Sequence, residues 1–421
     1  MKNTKIVIHG KKKLCGSVKI SGAKNAALPQ LAASLLTTSE VHFQSVPQVE
    51  DVKVMFHALK NLGAEGIFDA DTVYIQVPEL KSTEIPPEIG KTSRASILIL
   101  GPLVARNGYA KVSRPGGCPI GDRKIDFHLQ GLGQMGVTIQ ETPDYIIAKA
   151  DNGLHAIDYT FPNKTVTGTE NLLMAAALAQ GKTILRNCAL EPEVGDLIDL
   201  LTTMGSHIQG KNTETLTIAG QNRLNGARHT LIPDRIEMGT YVIAASLKGN
   251  NEIMIENAIP EYIDGLLSVL TQIGIEVAAW DGKITVRTRG PLCPVEIETL
   301  PYPGYPTDLQ AQLTTLLTQA QGVSKIKENI FNNRFQHADE LNKLGANIEV
   351  DRDIAIIRGK TPLNGRTIRA TDLRASAALV LAGLIADGQT VVENAYQLLR
   401  GYENMPQKLR QLGADITLID E

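Results

Sequence analysis

The sequence predicts an α/β protein built from six repeats of about seventy residues. A short pattern recurs along the 421 residues: an amphipathic segment, a hydrophobic residue, a glycine, and a β-branched or alanine-rich run. The glycines are spaced by 73, 69, 69, 71 and 68 residues, and they are Gly63, Gly136, Gly205, Gly274, Gly345 and Gly413. A glycine directly after a periodic helix is the common left-handed C-cap, and the runs that follow, such as "VTI" and "IEV", are typical of strands.

Each repeat carries a second helix that is more apolar than the first. Examples are "LPQLAASLL", "NLLMAAALAQ" and "ASAALVLAGLIA". A helix that is hydrophobic on nearly every side belongs in a protein interior. We therefore expect six buried helices, one in each repeat.

These apolar helices are predicted to begin in one register. Counting back fourteen residues from the ends at Thr38, Gly108, Gly181, Gly249, Gly322 and Gly388 gives Lys24, Arg94, Thr167, Arg235, Asp308 and Arg374. A helix N-terminus attracts anions, so a cation there is unfavourable unless an anion lies between. Four basic residues in this position predict that several helix ends converge on an anionic ligand, with Asp308 as a candidate base. The alternative is that these cations are solvent-exposed helix ends without a ligand.

The stretch "SRPGGCPIGDR", from Ser113 to Arg123, places a lone thiol in a loop. Its density of proline and glycine is typical of a loop, and binding groups are frequent in such loops. Flanking arginines favour a thiolate or hold an anion beside Cys118, which is typical of a reactive cysteine. An inert loop cysteine is the alternative.

Composition excludes several classes of protein. Lys plus Arg number 42 and Asp plus Glu 45, a formal charge of −3, so no basic field predicts nucleic-acid binding. The best apolar run, Ala95 to Ala105, is too short to span a bilayer, and the N-terminus lacks the apolar core of a signal peptide, which predicts a cytoplasmic protein without membrane contact. The four cysteines lie far apart with no C-x-x-C, which argues against a zinc site or a disulfide framework.

The segment "GLGQMG", Gly131 to Gly136, matches the dinucleotide fingerprint G-x-G-x-x-G. That fingerprint requires a preceding strand and a following helix. Here "KIDFHLQGL" predicts a helix before the glycines and "VTIQ" a strand after them. The match therefore predicts a helix cap rather than a nucleotide site.

Seven stretches resemble the UDP-N-acetylglucosamine 1-carboxyvinyltransferases, a family of enolpyruvyl transferases. They are "SGAKNAALPQLAASLL", "PGGCPIGDR", "PDRIEMGT", "PTDLQAQ", "NRFQHADEL", "ATDLRASAALVLAG" and "RGYE". The resemblance implies transfer of the enolpyruvyl group of phosphoenolpyruvate to the 3′-hydroxyl of UDP-N-acetylglucosamine, with release of phosphate, as the first committed step of peptidoglycan synthesis. It implies no cofactor and no metal.

The resemblance also implies a fold and a division into domains. The fold is an inside-out α/β barrel of two similar domains, each built from three βαβαββ repeats with apolar helices inside and sheets outside. One domain is discontinuous, residues 1–23 with 233–421, and residues 24–232 form the other domain, which carries the Cys118 loop. We expect a monomer, because two large domains suffice to bury the core.

Site residues follow from the matched motifs. The resemblance implies that Cys118 protonates C3 of phosphoenolpyruvate and reacts with fosfomycin, and that Asp308 acts as base or orienter beside the attacking hydroxyl, although an N-cap role fits it too. Lys24, also assigned to catalysis, is expected to bind phosphoenolpyruvate with Asn25, Arg123 and Arg400. UDP-N-acetylglucosamine contacts are expected from Arg94, Arg123, Lys124, Ile125, Asp126, Phe127, Thr165, Asp308 and Ile330. Arg235, Arg334, Asp372 and Arg374 are expected to line the cleft, where structural ion pairs are an equal alternative to ligand contacts.

Three departures from the family pattern concern nucleotide contacts more than the reaction. Lys124 replaces a usual proline, "TVTGT" at Thr165 to Thr169 replaces "SVGAT", and Met238 stands where threonine is common. Two other functions stay open. The sister enzyme that uses shikimate 3-phosphate shares the repeat but lacks the Pro-Gly-Gly-Cys loop, and a non-catalytic nucleotide-sugar sensor would keep the cleft without turnover.

Overall fold

The six predicted repeats correspond to six four-stranded sheets in the part of the chain that the computed structural model describes, residues 4–116, 120–121 and 125–420. In the second repeat, Glu84–Ile85 pairs in parallel with Tyr109–Ser113, and Tyr145–Lys149 and Thr138–Glu141 follow in antiparallel order. Each of the other five sheets has the same order of one parallel and two antiparallel pairings. The predicted βαβαββ repeat is confirmed.

The chain forms two compact units with separate hydrophobic cores. Unit 1 comprises Met1–Ser21, Cys118–Arg123 and Pro233–Glu421, and unit 2 comprises Gly22–Gly117 and Lys124–Ile232. Among the described residues, this division differs from the predicted one at residues 22–23 and 120–121. Each unit contains three of the six repeats.

Neighbouring strands in each sheet are hydrogen-bonded in one spatial order. In that order, the strands of unit 2 are Ala227–Thr230, Val41–Gln44, Thr72–Gln76 and Glu65–Asp69 (repeat 1); Glu84–Ile85, Tyr109–Ser113, Tyr145–Lys149 and Thr138–Glu141 (repeat 2); and Asp158–Thr160, Lys182–Arg186, Thr215–Ala219 and His207–Gln209 (repeat 3). Those of unit 1 are Cys15–Lys19, Glu252–Glu256, Lys283–Thr288 and Ile275–Trp280 (repeat 4); Glu296–Glu298, Gly322–Lys327, Ile354–Gly359 and Ile348–Asp351 (repeat 5); and Thr367–Arg369, Gln389–Glu393, Thr4–His9 and Asp415–Asp420 (repeat 6).

Each repeat contains one inner and one outer α-helix. The inner helices, whose residues are mostly buried on every side, are Lys24–Ala33, Leu100–Asn107, Val166–Ala176, Arg235–Ser246, Gln310–Leu317 and Leu373–Ile385. The outer helices are Glu50–Asn61, Asp126–Gln134, Pro192–Thr203, Asp264–Ile273, His337–Lys343 and Met405–Gln411. Short helices cover Pro87–Gly90 and Tyr396–Leu399, and 3₁₀ turns cover Ser34–Leu36, Arg94–Ile99, Pro260–Ile263 and Thr307–Leu309.

The predicted register of the inner helices is confirmed to within one residue. Lys24, Arg94 and Arg235 are the first residues of their helical segments, and Thr167, Asp308 and Arg374 are the second. The segments that contain Arg94 and Asp308 begin as 3₁₀ turns before the α-helix continues. The six inner segments therefore present equivalent N-terminal positions.

The six cap glycines all adopt the left-handed conformation predicted for them, with φ between +92° and +110°. Gly136 is one of these caps. It follows the helix Asp126–Gln134, which contains Gly131 and Gly133, and it precedes the strand Thr138–Glu141. The order of helix and strand is thus the reverse of a dinucleotide-binding fingerprint, as the sequence predicts.

No helix in the described residues combines the length and apolar character needed to cross a bilayer.

Candidate functional site

Asp308 lies between two arginines in unit 1. Its Oδ1 accepts a hydrogen bond from Nη2 of Arg334 at 2.8 Å, and its Oδ2 accepts one from Nη2 of Arg374 at 2.6 Å. The two arginine side chains are 4% and 5% exposed, whereas that of Asp308 is 27% exposed. Burial alone would lower the pKa of Arg374, but the neighbouring Asp308 carboxylate raises it above its ordinary value. The result is an ionised carboxylate that still reaches solvent, held by two buried cations.

The helix starts of unit 1 carry their own acidic caps. Asp372 Oδ1 accepts from the backbone N–H groups of Arg374 at 2.8 Å and of Ala375 at 3.2 Å. Asp234 Oδ1 caps the helix of Arg235 in the same way, with bonds of 2.8 and 2.9 Å. These carboxylates offset the unfavourable cation at each helix start, so in unit 1 the protein itself supplies anions at two of the predicted positions.

Three predicted cations at the inner helix starts are buried. Lys24 and Arg235 are 8% exposed and Arg374 is 4% exposed. The alternative that these residues are solvent-exposed helix ends is therefore wrong for all three. Arg235 lies over the ring of Tyr302, with 5.7 Å between the guanidinium carbon and the ring centroid.

Ile330 lies in the loop after the strand Gly322–Lys327, and its position depends on the buried carboxylate of Glu328. Glu328 Oε1 accepts from Ile330 N at 2.9 Å, from Phe331 N at 3.2 Å and from Thr299 Oγ1 at 2.9 Å. Its Oε2 accepts from Thr307 Oγ1 at 2.9 Å. Glu328 thus joins the loop of Ile330 to the turn that contains Asp308.

Arg400 is buried in unit 1 after the short helix Tyr396–Leu399. Its Nη1 donates to Gln397 Oε1 at 3.1 Å. Asn333, which precedes Arg334, donates its backbone N–H to the carbonyl of Ile120 at 3.2 Å, also in unit 1. The described part of the cysteine loop, Ile120 and Gly121, therefore lies against the segment that carries Arg334.

Lys24 begins an inner helix of unit 2 and is paired with an acid that the motifs do not name. Its Nζ lies 3.3 Å from Oδ2 of Asp51, which is buried in the first turn of the helix Glu50–Asn61. Asn25 follows Lys24 and is half-buried. The buried carboxylate of Asp51 offsets the cost of burying the ammonium at this helix start.

Arg94 and Thr165 occupy two other helix starts of unit 2. Burial lowers the pKa of His128 to about 3, and the positive charge of Arg94 acts in the same direction. This imidazole is therefore neutral near pH 7. His128 Nε2 lies 3.2 Å from Thr167 Oγ1, and Nδ1 lies 2.9 Å from Asn171 Nδ2. Thr165 is the N-cap of the helix Val166–Ala176 and accepts from Gly168 N at 3.2 Å.

The remaining predicted contacts lie around the start of the helix Asp126–Gln134. Ile125 is buried, Asp126 is exposed and Phe127 is half-buried. Cys118, Arg123 and Lys124 lie outside the residues that the structure describes. Gly116, the last described residue before Cys118, donates its backbone N–H to the carbonyl oxygen of Gly90 at 3.2 Å.

The geometry brings together some predicted residues within each unit. In unit 1 it groups Asp308, Arg334 and Arg374, with Asp372 as the cap of the same helix start. In unit 2 it pairs Lys24 with Asp51 and places the charge of Arg94 near His128. A carboxylate held by arginines suits a base or an orienter, and buried cations at helix starts suit binding of phosphate or carboxylate groups.

A family model described as EPSP synthase (3-phosphoshikimate 1-carboxyvinyltransferase) matches residues 8–409. The chain belongs to this EPSP synthase family.

Curated relatives match nearly the whole chain. One from Koribacter versatilis is 48% identical and covers 99% of this chain and 97% of its own length; one from Desulfatibacillum aliphaticivorans is 46% identical and covers 98% and 99%. Both are named UDP-N-acetylglucosamine 1-carboxyvinyltransferase.

Similar solved structures establish the fold. The enolpyruvyl transferase NikO from Streptomyces tendae matches with a TM-score of 0.90 and 27% identity over 100% of both chains. An EPSP synthase from Acinetobacter baumannii matches with a TM-score of 0.75 at 17% identity, covering 99% of this chain and 100% of its own, which shows a shared fold only. The predicted enolpyruvyl transferase fold, with two similar domains of three βαβαββ repeats each, is confirmed.

Sequence reasoning missed several residues that pair with the predicted site residues or cap their helices. Asp51 pairs with Lys24, and Glu328 accepts a hydrogen bond from Thr307. Both partners are distant in sequence, so no motif spacing indicates Asp51 or Glu328. The caps Asp234 and Asp372 could have been found, because "PDR" and "TDLR" place an aspartate directly before each predicted helix. Met238, noted as a departure, is fully buried in the helix Arg235–Ser246 and packs in the core of unit 1.

Proposed function

We propose that this chain transfers the enolpyruvyl group of phosphoenolpyruvate to the 3′-hydroxyl of UDP-N-acetylglucosamine and releases phosphate. The observation that carries the proposal is the 46–48% identity, over 98–99% of the chain, to relatives named for this activity. The reaction is the first committed step of peptidoglycan synthesis, so the protein would serve cell-wall formation, cell shape and cell division from the cytoplasm.

Cys118 is the proposed general acid. It delivers its thiol proton to C3 of phosphoenolpyruvate, which leaves an oxocarbenium-like centre at C2. A thiol with an ordinary pKa of about 8.5 is mostly protonated near neutral pH, as this role requires. The same sulfur is the proposed site of a pyruvate adduct and of alkylation by fosfomycin.

Asp308 is the proposed partner of the attacking hydroxyl. The 3′-oxygen forms a bond to C2 while its proton passes to the carboxylate or to solvent; the adduct then loses phosphate and one proton from C3 to give the enol ether. The pairing of Asp308 with Arg334 and Arg374 supports this role, because both cations keep the carboxylate ionised and oriented.

Three cations and one amide are the proposed ligands of phosphoenolpyruvate. Lys24, Asn25, Arg123 and Arg400 would hold its phosphate and carboxylate, and Lys24 would also stabilise charge during the reaction. The burial of Lys24 and Arg400 supports the assignment, since a buried cation binds an anion more strongly than a solvated one.

The nucleotide sugar would contact nine residues. The proposed contacts are Arg94, Arg123, Lys124, Ile125, Asp126, Phe127, Thr165, Asp308 and Ile330, and the proposed cleft-lining residues are Arg235, Arg334, Asp372 and Arg374. We further propose that residues 1–23 with 233–421 and residues 24–232 are the two enolpyruvyl transferase domains, and that the protein acts as a monomer.

Shikimate 3-phosphate is the second candidate acceptor. The description of the matching family model, 3-phosphoshikimate 1-carboxyvinyltransferase, favours it. The Pro-Gly-Gly-Cys stretch at residues 115–118 argues against it, because the family resemblance ties that loop to the nucleotide-sugar enzymes.

Phosphate release from phosphoenolpyruvate tests the two acceptors directly. We expect release with UDP-N-acetylglucosamine and none with shikimate 3-phosphate. Release with shikimate 3-phosphate alone would replace the proposed function with the second candidate. Binding of the nucleotide sugar without release from either acceptor would favour the non-catalytic sensor.

Fosfomycin tests the role of Cys118 in the same assay. We expect it to abolish release by the wild type and by Cys293→Ala, a control that removes an exposed thiol elsewhere. Cys118→Ala is expected to bind UDP-N-acetylglucosamine with near-normal affinity and to lose most turnover. Full activity of Cys118→Ala would exclude this cysteine as the acid.

A further inference from the structure

A buried polar network lies behind Asp308 in unit 1. Gln312, fully buried one turn after Asp308, donates from Nε2 to the carbonyl oxygen of Asp308 at 3.0 Å. The same Nε2 lies 2.9 Å from Tyr402 Oη and 3.1 Å from Thr240 Oγ1. Tyr402 is 1% exposed, so its hydroxyl bonds to the protein rather than to solvent.

Tyr402 also contacts the cation that holds Asp308. The guanidinium carbon of Arg374 lies 5.5 Å from the centroid of the Tyr402 ring, within the range of a cation–π contact. The same guanidinium bonds to Asp308 Oδ2 at 2.6 Å. One side chain therefore contacts the arginine through its ring and reaches the peptide of Asp308 through its hydroxyl and Gln312.

The turn that contains Asp308 needs such support. Asp308 lies in the 3₁₀ turn Thr307–Leu309, and the α-helix begins only at Gln310. Hydrogen bonds of 3₁₀ turns have poorer geometry than those of α-helices, so the turn alone holds the carboxylate loosely. Side-chain bonds from a buried network limit that motion.

We propose that Tyr402 is a positioning residue for enolpyruvyl transfer: its hydroxyl, through Gln312, fixes the peptide of Asp308, while its ring fixes Arg374. The inference rests on the proposed function, in which Asp308 faces the attacking hydroxyl. Misplacing a reacting group by a fraction of an ångström slows turnover while leaving substrate binding nearly intact.

Tyr241 provides a matched control. It is also a fully buried tyrosine of unit 1, and it follows Thr240 directly. Its hydroxyl has no hydrogen-bond partner among the described residues. Tyr241→Phe and Tyr402→Phe thus each remove one buried hydroxyl, but only the second removes a link to Asp308.

Steady-state phosphate release by the full chain tests the proposal. For Tyr402→Phe we expect kcat to fall about tenfold, with KM for each substrate within about twofold of the wild type. Tyr241→Phe is expected to leave both constants unchanged. A kcat of Tyr402→Phe within twofold of the wild type, or an equal loss in Tyr241→Phe, would overturn the proposal.

A double-mutant cycle tests the path through Gln312. Gln312→Met removes the amide at similar volume, and we expect the double variant with Tyr402→Phe to be no slower than Gln312→Met alone, because both changes break one chain of bonds. Additive losses would show that the hydroxyl does not act through Gln312. A wild type inactive with both acceptors would overturn the proposed function and this inference together, whereas an active wild type isolates the inference.

Discussion

At the level of single residues, carboxylates pair with the buried cations Lys24, Arg334 and Arg374. Lys24 pairs with Asp51 in one unit, and Arg374 pairs with Asp308 in the other. An unpaired buried charge costs several kcal/mol, so each pair must form for the helix start to be stable. Asp308 differs from Asp51 because it remains partly exposed, which leaves it accessible to a substrate.

Replacing Asp308 by asparagine removes the charge of the carboxylate and keeps a side chain of nearly the same size. The amide cannot accept a proton and leaves two arginines without a counter-charge, so we expect kcat for phosphate release to fall at least about a hundredfold. Asp158→Asn, which breaks an exposed pair with Arg186, should retain full activity. Turnover of Asp308→Asn within tenfold of the wild type would show that the carboxylate is neither base nor orienter.

Neutral His128 makes stability depend on pH. Burial, assisted by Arg94, lowers its pKa to about 3 from an ordinary 6.5, so below pH 6.5 the unfolded chain binds a proton that the folded chain does not. Stability therefore falls as pH falls from 6.5 toward 3, by up to about 1.4 kcal/mol per pH unit. His337 in unit 1, with a pKa lowered to about 4 chiefly by burial, acts in the same direction.

His128→Gln isolates this effect, because glutamine can still bond to Thr167 and Asn171. Between pH 6.5 and 5.0 we expect the wild type to lose about 1.6 kcal/mol more unfolding free energy than the variant. Urea unfolding at both pH values measures the difference. Parallel losses in the two proteins would mean that His128 is not kept neutral by the fold.

The cap glycines repeat once in every βαβαββ unit. All six adopt φ near +100°, a conformation that costs other residues about 1–2 kcal/mol, so glycine ends each outer helix where the chain must turn into the next strand. The repeat is therefore encoded by local backbone chemistry as well as by hydrophobic pattern.

Gly274 offers a clean measurement of that cost. A methyl group added there meets no atom within 4 Å, but φ is +92°. We expect Gly274→Ala to lose about 1 kcal/mol in urea unfolding. Gly290→Ala, in equally open space without a left-handed φ, should change stability by less than about 0.5 kcal/mol. Equal effects of both substitutions would exclude backbone conformation as the cause.

Glu328, directly after the strand Gly322–Lys327, should control the loop of Ile330. An amide at this position has one acceptor oxygen for the several donors that the carboxylate satisfies. We expect Glu328→Gln to raise KM for UDP-N-acetylglucosamine about five- to tenfold and to change KM for phosphoenolpyruvate by less than twofold. Glu298→Gln, an exposed neighbour bonded to Asn329, is the control. Equal changes in both KM values would contradict a role in the nucleotide-sugar loop.

Sequence patterns predict well the features of this fold that form within one repeat. They predict poorly the partners that are distant in sequence. Glycine caps, inner helices and their first residues follow from periodicity within each repeat. In contrast, the sheets of repeats 1 and 6 are completed by Ala227–Thr230 and Thr4–His9, strands taken from distant parts of the chain. Long-range partners such as Asp51 for Lys24, or Gln312 and Tyr402 for Asp308, arise only once the repeats pack.

At the scale of the whole molecule, the architecture is shared with a protein of very different sequence. An EPSP synthase shares the fold at a TM-score of 0.75 with only 17% identity. The fold therefore does not determine the substrate, and acceptor choice must come from side chains on the loops and helix starts. Identifying the product that the enzyme makes therefore shows whether a nucleotide sugar is the acceptor.

The most direct test is to identify the product formed from phosphoenolpyruvate and an equimolar mixture of UDP-N-acetylglucosamine and shikimate 3-phosphate. Mass spectrometry and NMR should find the enolpyruvyl ether on the 3′-oxygen of the nucleotide sugar, with shikimate 3-phosphate unchanged. An enolpyruvyl group on shikimate 3-phosphate, or on another hydroxyl of the sugar, would contradict the proposed function.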